Sequence, residues 1–315
     1  MKTLLKTIYI AFVVIVIASC QSQNESVTTP ETELSGSISI SGAFALYPMT
    51  VKWAEEFQKL HPDVRIDISA GGAGKGMTDV LSGIVDLAMF SREVSPEEEN
   101  NGAWKIAVTK DAVIPTNNYK NQVIQILRKK GMTKSEFRDI FIEGKVSKWP
   151  DGSKMNVYTR SDACGAAEMW GKYLDGNQEN LTGIGVFGDP GMADAIRNDI
   201  FGIGFNNVIY AYDITSRKTY EGIDVIPLDI NGNGVIDDDE NFYSSLDKIM
   251  IAIKDGRYPS PPARELYFIS KGKPTDRAVI EFIRWILTDG QKFIDESGYV
   301  QLPIKKISIE LSRIN

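Results

Sequence analysis

SISISGAFALYPMTVKWAEEFQKLHPDVRIDISAGGAGKG, residues 37–76, contains two turns of one repeating pattern. Ile38 and Ile40 alternate with serines, which puts both on one face of a short strand. From Tyr47 to Leu60, the apolar residues Met49, Trp53, Phe57 and Leu60 recur at helical spacing, and Pro48 suits a first helical turn. Val64, Ile66 and Ile68 alternate as a second strand. Gly71 to Ser82 then opens with glycines and continues as a helix through Met77, Val80 and Leu81. Strand, helix, strand, helix in one short stretch is the pattern of α/β architecture.

The pattern continues along the chain. Val85 to Phe90 reads as a buried strand, and Thr133 with Glu136 has capping-box spacing ahead of Phe137, Ile140 and Phe141. Asn156 to Thr159 reads as a strand running into a helix from about Gly165. Asp276 to Leu287 is an amphipathic helix with Val279, Ile283, Ile286 and Leu287 on one side. There is no repeat of solenoid type. With 315 residues, 43% of them hydrophobic, the chain can build two cores of ordinary size rather than one. Its 35 basic and 42 acidic residues make a mildly acidic surface, which argues against a nucleic-acid partner, for which a basic stripe is the expected footprint. A small anion is held by local groups, so net charge does not exclude one.

The N-terminus reads as a targeting segment. Lys2 and Lys6 precede or border an uncharged apolar run, Ile8 to Ile17, too short for a bilayer span and right for a signal-peptide core. Ala18-Ser19-Cys20 closes it and resembles a bacterial lipobox, with cleavage after residue 19 and acylation of the Cys20 thiol. Residues 1–19 are thus expected to be a lipoprotein signal peptide and 20–35 a polar, flexible tether. The mature protein is expected outside the cytoplasm, anchored by lipid to the bacterial cell membrane or the outer membrane. With Cys20 consumed, Cys164 has no partner and no disulfide framework forms.

Three strand-to-helix turns carry glycine: Ser41-Gly42-Ala43-Phe44-Ala45, Gly71-Gly72-Ala73-Gly74-Lys75-Gly76, and Arg160-Ser161-Asp162-Ala163-Cys164-Gly165-Ala166. Each presents free backbone N–H groups at the positive end of a helix, a ready anion site. Cys164 sits at one such helix start, four residues after an arginine, where its thiol pKa is expected to fall. The only histidine, His61, lies in Leu-His-Pro at a helix end and offers no base beside it, so catalysis by a cysteine nucleophile is not expected.

These turns resemble those of a known family. Residues 41–76, then GIVDLAMFSREVSPEE (83–98), then RSDACGAAEMW (160–170), look like the periplasmic phosphate-binding proteins of bacterial phosphate ABC importers. YPSPPARELYFISKGKP (258–274) and FIRWILTDGQKFIDESGYVQLP (282–303) resemble that family's C-terminal region. The resemblance implies a two-lobe α/β periplasmic-binding-protein fold of type II, hinged by two crossovers. Lobe 1 would comprise residues 36–112 and 262–315, and lobe 2 residues 113–261, with crossovers near Val113 and Pro261. It implies capture of inorganic phosphate or a related small oxyanion for an ABC permease in the membrane. It also places ligand contacts at Phe44 and Ala45, at Ala73 where a serine is usual, and at Ser91 where an aspartate is common, followed by Arg92. In the third turn they fall at Arg160 and at Cys164, Gly165 and Ala166, where Ser-Gly-Thr is usual. Asp162 is suited to pair with Arg160. Most of the family's hydroxyls are thus replaced, and a hydrogen bond to a charged group is worth about 1.5–3 kcal/mol. A divergent binding or sensor lipoprotein on the same fold, with a different ligand, stays open beside phosphate import.

One further motif belongs to none of this. Asp229-Ile230-Asn231-Gly232-Asn233-Gly234-Val235-Ile236-Asp237-Asp238-Asp239-Glu240 matches a twelve-residue EF-hand loop. Its ligands to a structural Ca2+ would be Asp229, Asn231, Asn233, the carbonyl of Val235, Asp237 and a bidentate Glu240, with Gly234 at the sharp turn. A helix from Phe242 to Ile253 is expected to follow, and the preceding Val225, Pro227 and Leu228 are strand-like. One loop with one flanking helix suits a clamp better than a switching sensor.

Overall fold

The computed structural model describes residues 33–314. The apolar N-terminal run, Cys20 and most of the tether lie outside these residues. Among the described residues no helix is long and apolar enough to cross a membrane.

The chain alternates strands and helices as its patterning predicts. In order, β1 (Gly36–Gly42), α1 (Tyr47–Leu60), β2 (Val64–Ala70), α2 (Ala73–Leu81), β3 (Leu87–Phe90) and α3 (Pro96–Asn100) lead into β4 (Ala103–Asn118). There follow α4 (Ile124–Lys130), α5 (Lys134–Phe141), β5 (Asn156–Arg160), α6 (Gly165–Tyr173), β6 (Ile184–Val186) and α7 (Gly188–Asn198). The remainder is β7 (Gly202–Asn207), α8 (Val208–Ala211), β8 (Ile223–Val225), α9 (Leu246–Asp255), β9 (Ala263–Lys271), α10 (Arg277–Leu287) and α11 (Ile304–Ile314). The expected capping box forms at α5: the Thr133 hydroxyl accepts from Glu136 N at 3.2 Å, and Glu136 Oε2 accepts from Thr133 N at 2.7 Å. The helix expected from Phe242 instead starts at Leu246, where the Ser245 hydroxyl accepts from Lys248 N. Phe242 and Tyr243 turn inward at 2% and 8% exposure, so the chain ahead of the cap serves the core rather than a helical face.

Strand order is β2-β1-β3-β9-β4-β7-β5-β6, with β8 also on β4. β2, β1 and β3 run parallel, β9 is antiparallel to β3, and β4 is antiparallel to β9. β4 is shared between two sheets. Its residues 103–112 pair with β9, and its residues from Val113 onward pair with β7 and β8. Two hydrophobic cores follow this division. One gathers Ile38, Trp53, Phe57, Phe268 and Phe282; the other gathers Phe137, Phe141, Trp170, Phe205 and Tyr258. The second core is held by edge-on rings, Phe137 and Phe141 standing 5.2 and 5.7 Å from Trp170. Such pairs add about 0.5–1.5 kcal/mol each beyond the area they bury. The protein is therefore a two-lobe α/β fold, and every glycine turn singled out above lies at the edge where the lobes face each other.

Candidate functional site

β1 ends at Gly42, whose carbonyl accepts from both Gly71 N and Gly72 N at 2.9 and 3.0 Å. That shared acceptor holds the first two turns side by side in lobe 1. Phe44 leaves the first turn and meets lobe 2 directly, its ring edge-on to Phe187 at 6.0 Å. The Phe44 carbonyl accepts from the Tyr210 hydroxyl at 3.1 Å, and the Ala45 carbonyl from the Tyr299 hydroxyl at 2.8 Å. Gly72 caps α2 with φ +91°, a conformation costly for any side chain, and a Cβ there would lie 3.0 Å from Asp162 Oδ2. Ala73, the first residue of α2, is fully buried. Gly74 N donates to the Ala163 carbonyl at 3.1 Å, so the second and third turns are hydrogen-bonded across the lobes.

On the lobe 2 side, Cys164 caps α6 and its Sγ accepts from Ala167 N at 3.4 Å. Glu168 N is taken by the Cys164 carbonyl. Among the described residues, Gly165 and Ala166 are then the first-turn N–H donors left without a hydrogen-bond partner. Gly165 faces Ser91, which is 2% exposed; a Cβ on Gly165 would fall inside contact distance of both the Ser91 carbonyl oxygen and its Oγ.

Arg160 ends β5 and its side chain is 1% exposed. Nε and Nη2 form a fork on the Asp162 carboxylate at 2.8 and 2.7 Å, and Nη1 lies 2.9 Å from Asp189 Oδ2. Burial works against its charge, but Asp189, Cys164 and Asp162 more than offset this and hold its pKa well above the usual range. The chain of contacts continues: Asn207 Nδ2 donates to Asp189 Oδ1 at 2.6 Å, and Arg264 Nη2 donates to Asn207 Oδ1. Arg264 and Asp111 are cross-strand partners on β9 and β4, with Nη2 3.6 Å from Asp111 Oδ2. Arg264 leaves Nε and Nη1 without a hydrogen-bond partner among the described residues. Burial lowers its pKa against the pull of Asp111 and Asp189. Burial likewise pushes the Asp111 carboxyl up to about 7, with Arg264 opposing.

The turns of Phe44, Ala45, Ala73, Ser91, Arg160, Cys164, Gly165 and Ala166 thus converge between the lobes. Arg92 stands apart. Its guanidinium is forked onto Glu98 at 2.9 and 2.6 Å and stacks 4.6 Å over the Phe90 ring. Its charge is committed within lobe 1. The signal was present in the sequence: Ser95 and Glu98 form a capping box that fixes Glu98 beside Arg92. Asp189 and Arg264, both part of the buried network, carried no sequence signal of that kind. Their role depends on which strands and turns the fold brings together.

Cys164 corrects an expectation. Its thiol pKa is pushed up to about 12 by burial, which outweighs the lowering effect of Arg160. The native protein is therefore expected to react with a thiol reagent at pH 8 at least 100-fold more slowly than the denatured chain. Colorimetric thiol titration with and without guanidinium checks this; equal rates would mean an accessible thiolate.

Chemically, the arrangement offers backbone N–H groups from helix starts and a guanidinium held in place, in a site shielded from water. That combination suits a small oxyanion. The family model described as PBP superfamily domain matches residues 27–290. Among curated proteins, the chain is 25% identical over 319 residues to the phosphate-binding protein PstS of Bacillus subtilis strain 168, covering 98% of this chain and 96% of that one. It is 24% identical over 367 residues to PstS of Methanocaldococcus jannaschii, with 96% and 92% covered. A solved phosphate ABC transporter substrate-binding protein of Clostridium perfringens, with bound phosphate, superposes at TM-score 0.70 and 20% identity, over 85% of this chain and 100% of that one. An ABC-type phosphate transport receptor of Vibrio cholerae superposes at TM-score 0.61 and 18% identity, with 84% and 100% covered.

Proposed function

This chain belongs to the PBP superfamily, and from that premise we propose that it captures inorganic phosphate or a closely related oxyanion between its lobes and delivers it to an ABC permease. The observation that supports the reading is that three glycine-bearing turns meet between the lobes, Gly71 and Gly72 bonded to Gly42 and Gly74 bonded to Ala163, with the buried Arg160 at the start of the third turn. Relatives named phosphate-binding protein, aligned over nearly the whole chain, support the ligand class. We further propose that the chain works outside the cytoplasm, held to the membrane by acylation of Cys20. The lipobox-like Ala18-Ser19-Cys20 supports this.

Isothermal titration of the purified chain with phosphate, arsenate and sulfate tests the ligand. Heat with a one-to-one endpoint for phosphate is expected; no heat from any oxyanion, with a folded sample, would overturn the reading.

The site also predicts relaxed selectivity. Ser91 offers a hydroxyl, which can donate to a fully ionised anion as well as to a protonated one, where a carboxylate would repel the former. Losing one charge-assisted contact is worth about 1.5–3 kcal/mol. Sulfate is therefore expected to compete with phosphate within about 100-fold at pH 7. Competition titration reads the ratio, and a ratio above about 10,000 would mean that another group supplies the discrimination.

A further inference from the structure

We propose that residues 229–240 bind one Ca2+ ion, which fastens this loop to the C-terminal end of α4. The site is separate from the interlobe cleft, and the inference does not depend on the ligand bound there.

The loop has the register that a seven-coordinate ion requires. Oxygen donors stand at positions one, three, five, seven, nine and twelve: Asp229, Asn231, Asn233, the Val235 carbonyl, Asp237 and Glu240. Register alone would be a pattern match. The structure adds that the first and last donors are buried: Asp229 is 3% exposed and Glu240 5%. Glu240 Oε1 accepts from Ile230 N and Asn231 N at 2.9 and 3.0 Å, which turns its carboxylate onto the opening of the loop. Its other oxygen, Oε2, is buried and has no hydrogen-bond partner among the described residues. Asp229 is met by the N–H groups of Gly232, Asn233 and Gly234. The donors to both carboxylates are thus neutral backbone amides. Two buried carboxylates at one loop, one with an open oxygen, carry a desolvation cost that a cation offsets.

Among the described residues no three His, Cys, Asp or Glu side chains already converge as a ligand group. In the loop, three of the six donors are neutral oxygens, and Asp237 Oδ2 is bonded to the side-chain amides of Asn231 and Asn233, both at 2.8 Å. Metal binding would exchange those two bonds for oxygen–metal contacts, with Asn231, Asn233 and Asp237 turning at an exposed rim.

The consequence lies in what the loop is tied to. Ile236 N donates to the Lys129 carbonyl at 2.8 Å, in the last turn of α4. Asp229 N donates to the Met132 carbonyl, and Met132 N to the Pro227 carbonyl. Ordering the loop therefore fixes the passage from α4 into α5, a local clamp on lobe 2.

The test uses the full-length chain freed of metal by EGTA and titrated with CaCl2 alone. One bound Ca2+ is expected, with a melting temperature about 5 °C higher at a hundredfold excess over Kd. Glu240→Gln, which keeps the shape and removes the charge, is expected to weaken binding at least tenfold while leaving phosphate titration unchanged. Asp237→Asn, at the exposed rim, is expected to weaken Ca2+ binding without lowering the metal-free melting temperature. A melting temperature and titration baseline indifferent to millimolar Ca2+ would overturn the proposal. So would a response to Mg2+ equal to that for Ca2+, since Mg2+ demands six-coordinate geometry.

Discussion

Replacing Arg160 by methionine is expected to abolish oxyanion binding and to cost about 3–5 kcal/mol of stability. The reason is that its partners stay behind. The Asp162 and Asp189 side chains are 7% and 4% exposed, and Arg160 is the guanidinium that meets both. Removing one member of a buried ion network strands the other charges, which is far more costly than losing a surface pair. For a chain of this size the melting temperature should fall by about 10 °C. Arg160→Lys separates the two roles. A lysine restores a point charge but cannot fork onto a carboxylate, so it should recover part of the stability and little of the affinity. Calorimetric melting gives the first quantity. Phosphate titration, run well below the melting point of each variant, gives the second. A methionine variant that melts like the parent and still binds would remove Arg160 from both roles.

Gly165→Ala should produce the opposite signature, lost affinity in a stable protein. The added methyl would fall against the carbonyl oxygen and Oγ of Ser91, which belongs to the other lobe. Backbone cannot give way as a flexible side chain can, so the lobes must stand further apart. Each core is untouched, and stability should change by no more than about 1 kcal/mol. The proposed site takes groups from both lobes, and apparent affinity falls by the fraction of molecules that can bring them together. A loss of about 100-fold or more is expected, with a larger radius of gyration by small-angle scattering in the presence of phosphate. Gly191→Ala is the control, because a Cβ there meets nothing within 4 Å. If Gly165→Ala binds as the parent does, the contact with Ser91 is not part of the bound state.

What could be read from the sequence was what depends on near neighbours. Met49, Trp53 and Phe57 keep helical spacing, and all three are fully buried. Ile38 and Ile40 alternate, and both face the core. Leu60 shares the spacing but is 60% exposed, because the helix ends at His61 and the last turn overhangs the core. β4 was missed. It runs sixteen residues, buried on both faces for most of its length, so it shows no alternation, and Pro115 within it argues locally against a strand. The buried network escaped for a related reason. Arg264 acquires its meaning only from its register with Asp111, more than a hundred residues earlier in the chain. The thiol of Cys164 differs from its sequence expectation because a helix start and a nearby arginine are visible in sequence, whereas full burial is not.

The pairing of β4 with β9 has a mechanical consequence. These two strands lie side by side and are hydrogen-bonded from Ala103–Lys271 to Ala112–Ala263, so both passages between the lobes leave from one ribbon. A hydrogen-bonded ribbon resists stretching and sliding much more than flexing. Relative movement of the lobes is thereby confined close to a single rotation, with its axis across the ribbon near the Asp111–Arg264 pair. A salt link placed on a rotation axis is barely lengthened by the swing, so it can stay made while the turns at the rim travel furthest.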